Sequence, residues 1–527
     1  MHVFEIVIAL LLAGAGLSAL ARRIGAPYPA LVALAGAILA VLPGTPILLL
    51  DPQLALALFV APVLLDAAFD ASPRDLRRNW RPIAGLSVGA VVFTVAAVAM
   101  VVRTLVPDII WPAAITLGAI VAPPDAAAAT AVLRHVRPPY RLLVILEGES
   151  LFNDASALLI YRLAVSAAVA GAVVSWKVLP MILAATAGSV VLGVAAARIV
   201  LFFAARVREI STAVIIQFSS TFAVWLLAER LHLSGILTMV VYAMVTSRTA
   251  SNVIPARLRI PSYAIWEVAV FVLNVLAFIL VGLQLKPIVS RLDRSEWLEY
   301  GLVAAAVCIA AVLARLIWVV AVASFSAWWC HARLHKAPDD TGPVALSPRA
   351  AVLIGWCGMR GIVTLAAALA LPSGGEGAEP FPHRDLILFT AFAVVLGTLV
   401  VQGLTLRPIL TRLRLDDDGA VDREVQLARV ATLGAALEVA AVSPGTETVE
   451  LMRRRYQLQL RRANLELQTT VGEEVDVVRA AISAERQRLS TLRADGTIGD
   501  AAFQRVEEEL DWRELDLEQL LRSGREN

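Results

Sequence analysis

Charge is scarce in this 527-residue sequence: Asp, Glu, Lys and Arg make up 17%, against 58% hydrophobic residues. With a mean hydropathy of +0.74, the composition excludes a soluble enzyme, whose surface needs far more polar cover. Cysteine is nearly absent as well. Cys308, Cys330 and Cys357 stand apart, within or beside apolar runs and without CxxC or CxxxC spacing, which argues against a zinc site or disulfide framework and for inert packing. The six histidines all fall at expected loops or helix ends, so no histidine relay crosses the apolar region. No GxxxxGK[ST] loop occurs, which disfavours a nucleotide-driven pump.

What is present is apolar length. About twenty such residues span a bilayer, and the chain offers about thirteen such runs, at 3–21, 30–43, 54–71, 83–102, 112–133, 142–168, 178–205, 211–229, 234–247, 264–284, 298–326, 350–371 and 385–406. The expected fold is an all-α polytopic membrane protein. The first run has no charged region before it and Arg22 and Arg23 after it, so it reads as a retained helix rather than a signal peptide.

The charge that exists is unevenly spread. Residues 1–415 carry 31 Lys and Arg against 21 Asp and Glu, a surplus of +10, whereas residues 416–527 carry 15 against 23, a deficit of −8. The expected division is therefore a membrane domain over 1–415 and a separate helical tail over 416–527. Every second connection is basic (Arg22, Arg74, Arg141, Arg206, Arg257, Arg349 and Arg412 mark them), with Lys286, Arg291 and Arg294 the exception. Positive loops stay inside, which puts the N-terminus outside and the tail in the cytoplasm of a bacterial-type inner membrane. Three amphipathic segments in the tail, with a turn at Ala494–Asp495–Gly496, carry no catalytic motif and suit an assembly or regulatory hairpin.

Ionisable groups inside the runs are costly, ~3 kcal/mol or more at a helix centre, and so mark function. The fifth run reads GAIVAPPDAAAATAVL. Pro123 and Pro124 remove backbone donors mid-helix, so the helix is expected to break and free carbonyls beside Asp125. A kink alone would not require that carboxylate. The sixth run begins EGESLFNDASALLIY. At 100° per residue Ser150 and Asp154 share one face, and Glu149 and Asn153 a neighbouring one. A hydroxyl beside a carboxylate makes a hard, oxygen-rich site for an alkali cation, whereas a lone buried carboxylate would simply take up a proton.

Arg315 in the eleventh run and Arg360 in the twelfth each need an anion, and Glu149 is the obvious candidate for either. Gly355, Gly358 and Gly361 surround Arg360, which suggests a second broken helix. Two interrupted helices seven runs apart have opposite orientations, as in transporters built from two inverted six-helix repeats. Asp66, Asp70, Glu267, Asn274 and Gln284 are weaker candidates, better suited to interfacial or scaffold roles.

EGESLFND, the APPD break and GMRGIVTLAAALALP together resemble the cation/proton antiporter superfamily in its electroneutral sodium/proton exchanger branch. The resemblance covers essentially all of residues 1–415. It implies that Asp154 carries the exchanged proton or cation. It further implies that Asn153, Ser150, Glu149, Asp125 and the Pro124 carbonyl surround the ion (Na⁺ or Li⁺), and that Arg315 and Arg360 pair with Glu149 or brace the breaks. Where the family reads Thr-Asp-Pro, this chain reads Pro124-Asp125-Ala126, so a hydroxyl is lost while a carbonyl remains. The resemblance also implies a moving core (83–168 and 298–406) and a scaffold (3–71 and 211–284) that forms a homodimer. Monovalent cations, protons and the bilayer would be the partners, with no nucleic acid and no tightly held cofactor. A K⁺/H⁺ antiporter of the same fold is the competing expectation. An intramembrane aspartyl protease is remote, because no GxGD segment occurs and the arginines have no place in that chemistry.

Overall fold

The computed structural model describes residues 2–43, 51–125, 128–130, 133, 138–170, 178–290, 297–334, 347–373, 380–415, 419–442 and 447–465, with a few isolated positions beyond. It divides into two units, Met1–Asp418 and Gly419–Asn527. Among the described residues, helix falls within every run the hydropathy marks: α1 His2–Ile24, α2 Tyr28–Val41, α3 Pro52–Asp70, α4 Trp80–Leu105, α5 Trp111–Val121, α6 Tyr140–Ala170, α7 Val178–Ala204, α8 Ile210–Arg230, α9 Gly235–Val253, α10 Ala256–Leu283, α11 Trp297–Leu334, α12a Pro348–Trp356, α12b Ile362–Leu369 and α13 Arg384–Leu413. Seven of these segments are long and apolar enough to cross a membrane unaided. Much of their outer surface is Leu, Ile, Val and Phe, the surface a bilayer accepts.

Local chemistry starts and stops these helices. Ser234 caps α9 by accepting the Leu237 N–H at 3.3 Å, and Ser347 caps α12a by accepting that of Ala350 at 3.2 Å, with Pro348 at the first helical position. The α5 helix stops at Val121, with Ala122 as its C-cap just before Pro123 and Pro124, and helix resumes at Ala128. The α12 segment is helical to Trp356, non-helical from Cys357 to Gly361 and helical again from Ile362. Both α3 and α4 contain one π-helical stretch, at Leu56–Val60 and Gly85–Ala90. The second of these presents the Gly85 carbonyl to the Trp318 indole N–H of α11 at 2.9 Å.

The neighbours form a repeating pattern. The α2 helix packs on α10 and α9 on α3; α4 packs on α5 and α11 on α12a; α5 packs on α6 and α12b on α13; α1 packs on α2 and α8 on α9. Exchanging α1–α6 with α8–α13 maps these pairs onto one another, and α7, which lies against α8 and α9, stands outside the exchange. At the α2–α10 crossing Gly36 and Gly282 face each other so closely that a Cβ on Gly282 would lie 2.3 Å from the Ala33 carbonyl oxygen.

In the second unit α14 (Ala420–Val442) and α15 (Glu447–Leu465) pack together, with the Arg453 guanidinium donating to the Ala440 carbonyl at 3.0 Å. Beyond α15 only 484–485, 487–492 and single positions at 506, 510 and 512 of the expected tail segments are described, all helical; the turn at 494–496 and Arg291, Arg294 and Lys336 lie outside the described residues.

Candidate functional site

The two breaks meet. The Asp125 N–H, freed because its chain has left the helix, donates to the Met359 carbonyl at 2.6 Å. One interrupted segment thus satisfies the orphan backbone of the other, as burial in a membrane protein requires. The Arg360 N–H donates to the Thr398 hydroxyl of α13 at 3.0 Å. An ideal Cβ on Gly361 would fall 1.8 Å from Asp125 Oδ2, so the carboxylate lies directly against that glycine. Gly361 has an extended backbone (φ −126°, ψ −155°); its missing side chain is explained by close approach rather than by turn geometry.

The α6 helix supplies the remaining groups. Glu149, Asn153 and Asp154 are buried, and Ser150 is half-buried. The Asn153 amide donates to the Pro124 carbonyl at 2.8 Å and ties α6 to the α5 break. Glu149 receives both terminal nitrogens of Arg315, one of them at 2.8 Å, and Arg315 also donates to the Ile354 carbonyl at 3.1 Å. Glu149 is 1% exposed and Arg315 2%, so this is a fully desolvated bidentate pair. Sequence alone left two arginines for Glu149; the structure gives it to Arg315. The expected partnership of Arg360 with Glu149 is not formed, because Arg315 occupies both carboxylate oxygens. Arg360 Nε and Nη1 lie buried without a hydrogen bond among the described residues. A Cβ on Gly358 would come within 2.5 Å of Arg315 Cδ, which explains that glycine.

Asp125, Ser150 and Asp154 line one cavity of about 50 Å³, together with Pro124 and residues 361–364 of the α12 break. That is room for a cation with a few waters. Its opposite wall is apolar, with Phe59, Val63 and Leu64 from α3 and Phe278 from α10, and with Asn274 as a polar member. Glu149 and Arg315 do not line it. Among the described residues no group of three His, Cys, Asp or Glu comes together. A cation here would be held by two carboxylates and neutral oxygens, the donor set of a weakly bound alkali ion rather than a resident transition metal.

Of the weaker candidates, Asn274 lines the cavity, whereas Glu267 is exposed, Gln284 is buried, and neither Gln284 nor Asp66 nor Asp70 lines it. The sequence reading missed Thr364, which lines the cavity, and Thr398, which accepts from the α12 break. The only sequence signal for Thr364 is a hydroxyl three residues past the glycine of a broken helix.

The family model for the sodium/hydrogen exchanger transmembrane region matches residues 6–412. An uncharacterised Na⁺/H⁺ exchanger of Mycobacterium tuberculosis is 30% identical over 97% of this chain and 96% of its own length. A sodium, potassium, lithium and rubidium/H⁺ antiporter of Bacillus subtilis is 31% identical over 69% of this chain and 54% of its own. Among solved structures, the sodium proton antiporter MjNhaP1 of Methanocaldococcus jannaschii shares the fold, with a TM-score of 0.58 at 16% identity, covering 78% of this chain and 99% of that one.

Proposed function

The chain belongs to the sodium/hydrogen exchanger family, and on that premise we propose that it exchanges Na⁺ or Li⁺ for H⁺ one for one by alternating access, serving intracellular pH and sodium homeostasis. The observation that carries this reading is the single cavity that holds Asp125 and Asp154 where two broken helices cross. Asp154 binds either a proton or a cation, and each passage across the barrier exchanges one for the other. Asp125, held against Gly361 at the start of α12b, helps hold the cation with Ser150.

Charge bookkeeping favours electroneutrality. The Glu149 charge is cancelled by Arg315, and Asn153 spends its amide on the Pro124 carbonyl rather than carrying a second proton. That carbonyl keeps one lone pair for the ion. The neighbour pattern of α1–α6 and α8–α13 supports two inverted repeats, with α4–α6 and α11–α13 as moving core and α1–α3 and α8–α10 as scaffold and dimer contact. The basic loops support an inner-membrane protein with its N-terminus outside and its tail, an assembly or regulatory element, in the cytoplasm.

A second reading, K⁺/H⁺ exchange, is favoured by the relative in Bacillus subtilis, an antiporter of potassium and rubidium as well as sodium and lithium. The test is dissipation of a preset pH gradient in proteoliposomes by Na⁺, Li⁺ and K⁺ separately, with the membrane potential clamped. Response to Na⁺ and Li⁺ that ignores the potential is expected. Response to K⁺ alone selects the second reading, and none to any cation refutes both.

A further inference from the structure

Thr364 is 1% exposed, and its hydroxyl has no hydrogen-bond partner among the described residues. Threonines within helices ordinarily return that hydroxyl to a carbonyl three or four residues back. Thr116 and Thr398 do so, to Pro112 and Val394, each at 2.8 Å; Thr238 and Thr390 also have buried hydroxyls without a partner among the described residues, but neither lines the cavity. Thr364 stands in the first turn of α12b, so its corresponding carbonyls belong to Arg360 and Gly361, which lie in the non-helical linker. The break that opens the site therefore also deprives this hydroxyl of its local acceptor. A buried hydroxyl left unpaired is costly, and the group lines the cavity of Asp125, Ser150 and Asp154.

The other neutral oxygens of that cavity are few: the Ser150 hydroxyl, the Asn274 side chain and the one lone pair that the Pro124 carbonyl keeps after accepting from Asn153. Resting on the exchange reading above, we propose that Thr364 Oγ1 is a direct ligand of the transported cation and sets its preference among alkali ions. The Asp125 carboxylate comes from one broken helix and the Thr364 hydroxyl from the other. A cation between them fastens the two breaks together, and a small, strongly oxygen-seeking ion gains more from this added oxygen than a large one.

The test uses the full-length protein in proteoliposomes, with Thr364→Val, which keeps the shape and loses the oxygen, and Thr364→Ser, which keeps the oxygen. The readout is the concentration of Na⁺, Li⁺ and K⁺ that half-dissipates a preset pH gradient, paired with Na⁺ protection against thermal unfolding in detergent. Valine should raise the half-maximal Na⁺ and Li⁺ concentrations about tenfold, the effect of roughly one neutral ligand, with a smaller change for K⁺ and weaker Na⁺ protection. Serine should stay within about twofold of the parent. Unchanged cation dependence in the valine variant, or equal impairment of serine and valine, overturns the assignment and makes Thr364 a packing residue. A parent protein that exchanges no cation would instead refute the underlying exchange reading, and Na⁺ protection would then decide the ligand on its own.

Discussion

The most consequential side chains pair by exclusion. Arg315 takes both oxygens of Glu149, which withdraws the strongest unpaired charge from the neighbourhood of Asp154 and leaves Asp154 and Asp125 facing the cavity. Removing one partner of such a pair strands the other as a buried charge, at about 3–5 kcal/mol. Glu149→Gln should therefore lower thermal stability in detergent markedly, and an unaltered melting temperature would mean that Arg315 has another anion. Gly361 tests positioning rather than stability. Its absent side chain admits the Asp125 carboxylate, so Gly361→Ala should fold but lose exchange at least tenfold, since displacing a binding group by about 1 Å can cost on the order of 10²-fold. Wild-type transport by that variant would show that Asp125 tolerates displacement. Asp125, Asp154, Ser150 and Asn153 were legible in the sequence because polar groups in an apolar run have no structural excuse. The choice between Arg315 and Arg360 was not legible, because both stand in apolar runs and only packing brings one of them to Glu149.

At the scale of the helix, the spans were legible from length and composition, and both breaks from their own residues. Pro123 and Pro124 stop α5, and the glycines around Arg360 open α12. The mutual satisfaction of the two breaks through the Asp125 N–H and Met359 carbonyl could not be read, because an orphan donor in a sequence does not name its acceptor. Helix pairing was equally hidden, since Ala, Val and Leu carry little directional information and close crossings show only as scattered glycines. The α2–α10 crossing makes this testable. Gly282→Ala places a methyl 2.3 Å from the Ala33 carbonyl oxygen and 2.5 Å from the Ala37 nitrogen, where backbone meets backbone and neither side can yield. The melting temperature should fall by several degrees, for a cost of about 1–3 kcal/mol. Gly301→Ala, with nothing within 4 Å of the added carbon, should be neutral or stabilising by up to about 1 kcal/mol. Equal effects at the two sites would dismiss the close-crossing explanation.

For the whole molecule, the charge shift near residue 415 lies close to the boundary between Met1–Asp418 and Gly419–Asn527. The proposed exchange cycle belongs to the first unit and rests on one exchangeable carboxylate, Asp154, in a cavity lined by both broken helices and by apolar residues of α3 and α10. The most direct measurement of that claim is ²²Na⁺ uptake into proteoliposomes driven by an outward proton gradient, compared between the parent protein and Asp154→Asn at equal reconstitution. The parent should accumulate label and collapse the gradient together, while the folded Asn variant does neither. Proton-driven Na⁺ uptake by Asp154→Asn would contradict the account, because exchange would then proceed without the group assigned to carry both ions.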